Sequence, residues 1–378
     1  MSPDQFRAQH PDLFYLTADQ TAPLQEYLER VQVLEPGEEV TSAGPAGEGN
    51  MNVTVRVQLA VGGTPSRSLI VKQSRPWVEK YPSIEAPWDR VLGEARFYLL
   101  TASQQGVAAR LPKLIEVDPD SRVMVIEDLG QASDYTSIYR GERLDPTDAA
   151  ILADWLSELH ATDFPEKTLS SLANQSMRRL NHEHIFLYPL KADNGLDLDA
   201  ITPGLRELAD GMAREQEYND AVSVLGELYL SNGTSLLHGD FFPGSWLRTE
   251  RGPAIIDPEF AFFGPTEFDL GVLLAHLYLA NQPEAIHGAL IENYRPAKGF
   301  DWRLALAYCG VEIMRRLIGV AQLPLSLDRE QKAGLLRLSH NLVVSDRPLQ
   351  SEGLRAADLL RRHDRLTGRS EADPRRLV

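Results

Sequence analysis

Two short apolar segments that each end in acidic residues constrain this chain more than any other feature of its sequence. The first segment, LLHGD, covers residues 236–240, and the second, AIIDPE, covers residues 254–259. Phosphoryl transfer needs one carboxylate that orients and deprotonates the acceptor hydroxyl, and a second that holds Mg²⁺ against the phosphates of ATP. The order and spacing of the segments therefore predict Asp240 as the catalytic, acceptor-binding residue and Asp257 as a metal ligand. Glu259 is predicted to bind a second metal ion or its water.

Composition narrows the class of protein. With 378 residues the chain is long for one hydrophobic core, so we expect two lobes. The net charge of −16 argues against a nucleic-acid partner, which would favour a basic stripe. The single cysteine, Cys309, excludes an internal disulfide and a cysteine metal cluster. No apolar run is long enough to span a bilayer, and the N-terminus lacks a signal-peptide pattern, so we expect no membrane partner and a cytoplasmic protein.

Hydrophobic periodicity divides the chain into a β-rich part and a helical part. Apolar patterns predict strands at residues 52–59, 68–73 and 122–129, with a helix at 90–101. The remainder is predicted to be mainly helical, with helices at 146–162, 205–230, 268–280 and 302–322 and a polar loop at 188–204. We therefore predict a two-lobed α+β fold. Residues 1–129 would form the nucleotide-binding lobe, and residues 130–378 a helical lobe with the catalytic loop, the metal loop and the acceptor pocket.

A glycine-rich segment, GEGNMN at residues 47–52, precedes the first predicted strand. Glycines let a backbone turn tightly and approach phosphates, so Gly47, Gly49 and Asn50 are candidates for nucleotide binding. Taken alone, the segment favours an ordinary β-turn. It does not fit the dinucleotide-binding pattern, because no helix follows it.

Further nucleotide-binding candidates lie on the predicted strands. Lys72 ends a buried strand and is predicted to hold the α- and β-phosphates while pairing with Glu94 of the next helix. The alternative is an edge-strand lysine that reaches water. Glu127 and Leu129, at the end of the third strand, are predicted to bond the adenine edge through their backbone. A simple strand exit is equally consistent with the pattern.

The catalytic segment carries a second candidate ligand. Ser245 lies five residues after Asp240, where the protein-kinase catalytic loop has a metal-binding asparagine. We predict it as a weaker metal ligand, directly or through water. Asp269 is expected to cap or orient the loop. A glycosidase that uses Asp240 and Glu259 as acid and base is an alternative, but it leaves the lysine–glutamate pair unexplained.

Several charged residues of the helical part have plain structural interpretations. Arg315 and Arg316, judged alone, favour surface arginines on a helix flank. His160 and His276 are predicted to be hydrogen-bonded core histidines. The arginine-rich segment at 353–378 favours an amphipathic helix with a frayed end.

The motifs together resemble those of 5-methylthioribose kinases, members of the aminoglycoside phosphotransferase/choline kinase group with a protein-kinase-like fold. The broader group is suggested by HGD at 238–240 and by Asp257. The narrower resemblance covers about residues 40–325 in separated blocks: GEGNMN at 47–52, IVKQ at 70–73, WDR at 88–90, DPEFAFFGP at 257–265 and EIMRRLIG at 312–319.

The resemblance implies roles that the residues alone do not. It implies that Arg315 and Arg316 contact the sugar substrate, that Trp88 belongs to a substrate-binding segment, and that serine is the family's residue at position 245. It further implies a homodimer that uses ATP and Mg²⁺ to phosphorylate the 1-hydroxyl of 5-methylthioribose in methionine salvage. Residues 131–235 match poorly.

Two other functions remain open from the sequence. Another small hydroxylated acceptor, such as an aminoglycoside, a choline-like alcohol or a different sugar, would use the same chemistry. An inactive nucleotide-binding scaffold is disfavoured because Lys72, Glu94, Asp240 and Asp257 are all present.

Overall fold

A five-stranded antiparallel sheet organises the first part of the chain in the computed structural model, which describes residues 3–47 and 51–344. Its strands follow the order β1-β2-β3-β7-β6. A two-stranded hairpin, β4 and β5, follows β3 in the chain. The bounds are β1 (Glu38–Pro45), β2 (Val53–Val61), β3 (Thr64–Gln73), β4 (Trp77–Val78), β5 (Tyr81–Glu85), β6 (Leu114–Asp118) and β7 (Val123–Glu127).

Four helices accompany these strands: α1 (Pro3–Gln9), α2 (Thr21–Arg30), α3 (Arg90–Thr101) and α4 (Gln105–Ala108). The alternation of side chains along β3 gives its two faces different partners. Leu69 and Val71 belong to a core cluster with Leu24 and Leu28 of α2. Ile70 packs into a second cluster that contains Val91 of α3. Lys72 has the same parity as Ile70, so its side chain is directed to the face that α3 covers.

The remaining described elements are mostly helical. The helices are α5 (Pro146–Ala161), α6 (Glu166–Leu169), α7 (Gln175–His182), α8 (Leu198–Ile201), α9 (Leu205–Arg214), α10 (Gln216–Leu230), α11 (Glu267–Leu279), α12 (Glu284–Asn293), α13 (Trp302–Ile318) and α14 (Arg329–Val344). The short strands are β8 (Ser235–Leu237), β9 (Trp246–Thr249), β10 (Gly252–Ile255) and β11 (Phe262–Gly264). Every residue of α11 is buried, which fits a helix that is apolar on all sides.

Two compact units emerge from the contacts within the chain. The first contains residues 1–133, 165–177 and 247–262, and the second contains residues 134–164, 178–246 and 263–378. The α+β, protein-kinase-like fold class predicted from the sequence is confirmed. The division into lobes at residues 129 and 130 stays a prediction.

Apart from shifts of a few residues at their ends, such as α13 ending at Ile318 instead of residue 322, the predicted elements differ from the observed ones in two places. The helix predicted over 205–230 is two helices, α9 and α10, because Glu215 adopts an extended backbone between them. The segment predicted as a polar loop at 188–204 contains a 3₁₀ turn at Tyr188–Leu190 and the helix α8. In residues 3–47 and 51–344, none of the helices combines the length and the apolar character needed to cross a bilayer.

Candidate active site

Lys72 is the centre of an ionic cluster in the first unit. Its Nζ lies 2.7 Å from both carboxylate oxygens of Glu94 and 2.6 Å from Oδ1 of Asp257. The lysine side chain is 5% exposed and that of Glu94 is fully buried, whereas the side chain of Asp257 is 48% exposed. The predicted lysine–glutamate pair is therefore present, and the alternative of an edge-strand lysine in water is wrong.

The chain approaches Asp257 from β10 and then turns sharply. Asp257 adopts a left-handed backbone with φ of 62°, immediately before the 3₁₀ turn Pro258–Phe260. Aspartate is one of the few residues with a side chain that adopts this conformation routinely. The turn buries Glu259, whose carboxylate accepts a hydrogen bond of 2.9 Å from Nδ2 of Asn52. Asn174 donates to the carbonyl oxygens of residues 259 and 261 and holds the turn.

The cluster carries more negative than positive charge. Burial alone would lower the pKa of Lys72, but Asp257, Glu94 and Glu259 raise it well above its ordinary value. Burial raises the pKa of Glu94, and the charges of Asp257 and Glu259 raise it further against the opposing effect of Lys72. Three carboxylates thus surround the ammonium group of Lys72, and the guanidinium of Arg90 is a second positive charge that lowers the pKa of Glu259. Such a surplus of hard oxygen donors, one of them half exposed, suits a divalent cation such as Mg²⁺.

The described residues contain no group of three or more His, Cys, Asp or Glu side chains placed to hold a metal ion. Mg²⁺ is commonly bound through one or two carboxylates together with substrate phosphates rather than in an all-protein cage. Asp257 and Glu259 match that donor set in number and chemistry.

The glycine-rich segment begins at the end of β1. Gly47 has φ of 81°, a conformation that favours glycine. Gly49 and Asn50 lie outside the described residues, as does the arginine-rich segment at 353–378. Beyond the gap, the buried guanidinium of Arg90 donates to the carbonyl oxygen of Met51.

Arg90 also donates to the carbonyl oxygens of three other residues, Arg75, Trp77 and Pro87. It therefore ties the second half of the glycine-rich segment to the stretch between β3 and α3. The sequence motif WDR contains this arginine, and its structural role follows from these four carbonyl contacts.

Glu127 is the last residue of β7. Its backbone N–H donates to the carbonyl of Lys113 at 2.9 Å, and its carboxylate accepts a hydrogen bond of 3.1 Å from the backbone N–H of that residue. Leu129 follows in the loop and is partly buried. The adenine contacts predicted for these two residues involve only backbone groups and stay a prediction.

Trp88 lies in the first unit, just before α3. Its ring packs edge-on against Phe6, with centroids 5.3 Å apart, and the guanidinium of Arg122 lies 4.7 Å from the centroid of the ring. The indole thus has a packing role next to α1. The substrate-binding role implied by the resemblance stays a prediction.

The catalytic segment of the second unit follows β8. Asp269, at the start of α11, is fully buried and accepts the backbone N–H groups of His238 at 2.7 Å and Gly239 at 2.9 Å. His160 contacts the same carboxylate at 3.3 Å. Gly239 has φ of 86°, where a side chain would be strained. As predicted, Asp269 orients the loop and His160 is a hydrogen-bonded core histidine.

Asp240 faces the two arginines of α13. Its Oδ1 accepts a hydrogen bond of 3.1 Å from Nη2 of Arg316 and lies 3.7 Å from Nη1 of Arg315. The arginines are 6% and 5% exposed, so the interpretation as surface arginines is wrong. Within the described part of the chain, Oδ2 of Asp240 receives no hydrogen bond. One oxygen of the predicted base is thus anchored and the other is free to accept a proton.

Glu312 lies one turn before the arginine pair and binds both members. Its carboxylate accepts hydrogen bonds of 2.6 Å from Nε of Arg316 and 2.9 Å from Nη1 of Arg315. Burial would raise the pKa of Glu312, but the two guanidinium groups hold it well below its ordinary value. The arginines therefore bridge a buried carboxylate and the partly exposed Asp240.

His276 extends this network from α11. Its Nδ1 lies 2.6 Å from the hydroxyl of Tyr139, and its Nε2 lies 3.2 Å from Oε1 of Glu312. Burial lowers the pKa of His276 to about 4. The imidazole is therefore neutral near pH 7, in agreement with the predicted core histidine.

Ser245 closes the catalytic loop on itself. Its hydroxyl donates to the backbone carbonyl of Asp240 at 3.1 Å, and the residue is 2% exposed. The ring of Phe242 lies 4.8 Å from the guanidinium of Arg316. A Cβ at Gly244 would lie 2.5 Å from Cζ of this ring, so a larger residue there would require the ring to shift. The metal role predicted for Ser245 stays a prediction.

Sequence reasoning missed Glu312, Tyr139 and Asn174 as parts of these sites. The signal for Glu312 was available, because residues three and four positions apart share a helix face, and Glu312 precedes Arg315 and Arg316 by those intervals. Tyr139 and Asn174 come from segments without a recognisable motif.

The Lys72 cluster on the sheet, the HGD loop and the DPE turn define the class of protein: a phosphotransferase with a protein-kinase-like fold that acts on a hydroxyl group. Residues 45–308 match the family described as a phosphotransferase enzyme family, and the chain belongs to that family.

Individual proteins support the same assignment. The methylthioribose kinase of Exiguobacterium sibiricum is 27% identical over 348 residues, which cover 79% of this chain and 85% of that protein. The methylthioribose kinase of Klebsiella pneumoniae is 30% identical over 271 residues, covering 67% and 64% of the two chains. The resemblance to methylthioribose kinases is therefore confirmed.

A solved structure supports the fold. The AMP-bound complex of a spectinomycin phosphotransferase aligns with a TM-score of 0.50 and 14% identity, over 87% of this chain and 99% of that chain. At this identity the likeness establishes a shared fold alone.

Proposed function

We propose that the protein is an ATP-dependent kinase that transfers the γ-phosphate to the 1-hydroxyl of 5-methylthioribose, a step of methionine salvage. The names of its relatives in Exiguobacterium and Klebsiella support this acceptor. The AMP complex of the spectinomycin phosphotransferase supports an adenine nucleotide as the second substrate.

The charge balance around Asp240 is the observation that best supports a neutral sugar as the acceptor. Its carboxylate and that of Glu312 are both paired with Arg315 and Arg316, so two negative charges meet two positive ones. A choline-like or polycationic aminoglycoside acceptor would favour a surplus of carboxylates. Guanidinium donors suit the oxygen atoms of a sugar.

This geometry supports the roles that we propose for the second unit. Arg316 and Arg315 hold Oδ1 of Asp240, and Oδ2 accepts the proton of the acceptor hydroxyl as its oxygen attacks phosphorus. The arginines also donate to the acceptor. Asp269 and Ser245 keep the backbone of the loop in place.

The first unit provides the nucleotide and metal ligands in this proposal. Asp257 and Glu259 would hold Mg²⁺, and Lys72, positioned by Glu94, would contact the phosphates. Gly47, Gly49 and Asn50 would bring backbone groups to the phosphates, and Glu127 and Leu129 would bind the adenine. When bound, Mg²⁺ neutralises the charge that develops on the phosphates during transfer.

The acceptor is tested by measuring ADP release with 5-methylthioribose, ribose, choline and an aminoglycoside, each with Mg²⁺-ATP. We expect the highest kcat/KM with 5-methylthioribose and a phosphorylated product at the 1-hydroxyl by NMR. Asp240→Asn, which keeps the shape of the side chain, is the matched control. Preference for choline or the aminoglycoside would overturn the proposed acceptor.

A further inference from the structure

Asp128, between Glu127 and Leu129, carries hydrogen bonds that the roles described so far do not use. Its side chain is 2% exposed. The carboxylate accepts two hydrogen bonds from Arg56 of β2, 2.7 Å from Nε and 3.0 Å from Nη2. The hydroxyl of Ser68 in β3 donates to it at 2.7 Å. A planar guanidinium that binds both carboxylate oxygens fixes their orientation as well as their position.

The same two side chains also fix the backbone that follows. The carboxylate of Asp128 accepts the N–H of Gly130 at 3.0 Å, and Nη2 of Arg56 donates to the carbonyl of Gly130 at 2.7 Å. Gly130 has φ of 85°, the left-handed conformation that such a tight turn requires. The N–H and the carbonyl of Gly130 are therefore both bonded, to Asp128 and to Arg56 of β2, and Ser68 of β3 helps to hold Asp128.

The sheet itself does not demand this arrangement. The pairing of β7 with β3 ends at Glu127 opposite Leu69, so residues 128–130 have no strand partner. In the described part of the chain, the N–H of Leu129 donates to no other residue. The side-chain bonds of Asp128 thus order a stretch of backbone in which the N–H of Leu129 is left for another partner.

We propose that Arg56, Ser68 and Asp128 form a base clamp, a set of positioning residues that orders the backbone of Glu127 and Leu129 for the adenine base of the nucleotide. The inference rests on the proposed nucleotide role of these two residues. A backbone that is ordered before binding loses less conformational entropy when the base arrives. The base clamp therefore acts on recognition of the base and leaves the contacts to the phosphates unchanged.

The same unit contains a matched control. Glu38 of β1 accepts hydrogen bonds from Arg67 at 2.8 Å and 3.0 Å, from the hydroxyl of Ser66 at 3.0 Å and from the backbone N–H of Glu35 at 2.9 Å. Its side chain, like that of Asp128, is 2% exposed. The two carboxylates thus have the same kinds of partner and equal burial, but only Asp128 adjoins the predicted adenine segment.

The experiment compares Asp128→Asn with Glu38→Gln in the full chain. Calorimetry measures the affinity of each for Mg²⁺-ATP, adenosine and Mg²⁺-tripolyphosphate, a probe that lacks the base. If the ordered segment is populated about a tenth of the time without the clamp, Asp128→Asn weakens ATP and adenosine binding about tenfold. Tripolyphosphate affinity stays at the wild-type value. Glu38→Gln lowers the melting temperature and leaves all three affinities unchanged.

Three results would overturn the inference: unchanged ATP and adenosine affinity in Asp128→Asn, a parallel loss of tripolyphosphate affinity, or the same selective loss in Glu38→Gln. The conservative variant Ser68→Thr, which keeps the hydroxyl, should retain wild-type adenosine affinity, whereas Ser68→Ala should lose part of it. None of these measurements uses an acceptor. A protein that phosphorylates no methylthioribose but shows the expected binding pattern would refute the proposed acceptor and support the base clamp.

Discussion

Glu94 and Glu312 are both fully buried glutamates beside basic side chains, yet their pKa values shift in opposite directions. Burial raises the pKa of Glu94, and Lys72, which opposes this effect, is shared with Asp257 and Glu259. Burial acts on Glu312 in the same sense, but Arg315 and Arg316 outweigh it and lower the pKa. The number of counter-charges, not the burial, decides the sign of the shift.

This difference in counter-charges agrees with the function that we propose for each cluster. A cluster with surplus negative charge gains from a divalent cation, and the Lys72 cluster is such a cluster. The arginine pair instead satisfies Glu312 and Asp240 from within the protein, so it needs no added ion to hold its geometry. In our proposal a metal ion balances the charge of the first cluster, whereas the charges of the second cluster are already balanced by the protein.

The largest expected effect concerns Asp240, whose Oδ2 receives no hydrogen bond from the residues that the structure describes. Asp240→Ala should reduce turnover by about 10²–10⁴-fold, as loss of a general base does, with nucleotide affinity near the wild-type value. Steady-state ADP release and calorimetry measure the two quantities. Asp197→Ala, which removes the cap of α8 in the same unit, is the control and should keep its turnover. Wild-type turnover in Asp240→Ala would remove this residue from the mechanism.

Substitution of the two buried glutamates tests the comparison directly. Glu312→Gln leaves two buried arginines short of a charge partner and should lower the free energy of unfolding by about 3 kcal/mol. Glu94→Gln should cost about 1 kcal/mol, because Lys72 keeps the carboxylate of Asp257 and a hydrogen bond to the amide oxygen. Urea titrations of both variants give the values. Equal losses would show that the count of counter-charges does not distinguish the clusters.

The pH dependence of stability sharpens the description of the second cluster. The pKa of His276 is about 4 in the folded protein, below its ordinary value of 6.5, so the unfolded chain binds this proton more readily. Stability should therefore fall as the pH is lowered through this window, by about 2 kcal/mol between pH 7 and pH 5. His276→Gln should lose that part of the dependence while Tyr139, Glu312, Asp240 and Arg316 remain. An identical slope in both proteins would contradict the assignment.

The smallest expected change in stability is at Asp257. Asp257→Asn tolerates the left-handed backbone and relieves repulsion in the Lys72 cluster, so the free energy of unfolding should change by less than about 1 kcal/mol. The gain in nucleotide affinity on adding Mg²⁺ should be lost, as calorimetry with and without the ion would record. A variant that keeps the full magnesium-dependent gain would exclude Asp257 as a metal ligand.

Much of the first cluster could be predicted from sequence because its members follow local rules. Strand alternation and an adjacent helix predicted the pairing of Lys72 with Glu94. The acidic end of the AIID segment drew attention to Asp257, which contacts Lys72, and its predicted role as a metal ligand stays a prediction. The match of α3 to its predicted bounds, residues 90–101, reflects the same regular periodicity.

Burial of the arginine pair could not be predicted in the same way. Two adjacent arginines on an apolar helix favour solvent unless carboxylates from elsewhere meet them, and Asp240 comes from a loop 76 residues away in sequence. The sequence pattern also failed to predict the break at Glu215. Both flanking helices keep a helical hydrophobic pattern, and no glycine or proline lies at the junction. Contacts between residues far apart in sequence, and the backbone conformation of a single residue, cannot be predicted from local composition.

The first unit is built from three separate segments of the chain, and this affects how it folds during synthesis on the ribosome. Segments 165–177 and 247–262 belong to that unit, so a nascent chain that has reached residue 133 still lacks Asn174, Asp257 and Glu259. Domains generally fold as units during synthesis. Here the lysine and its helix glutamate must wait for nearly as much chain again before their third partner is translated, and no fragment that ends before residue 262 contains the whole turn that we propose holds Mg²⁺.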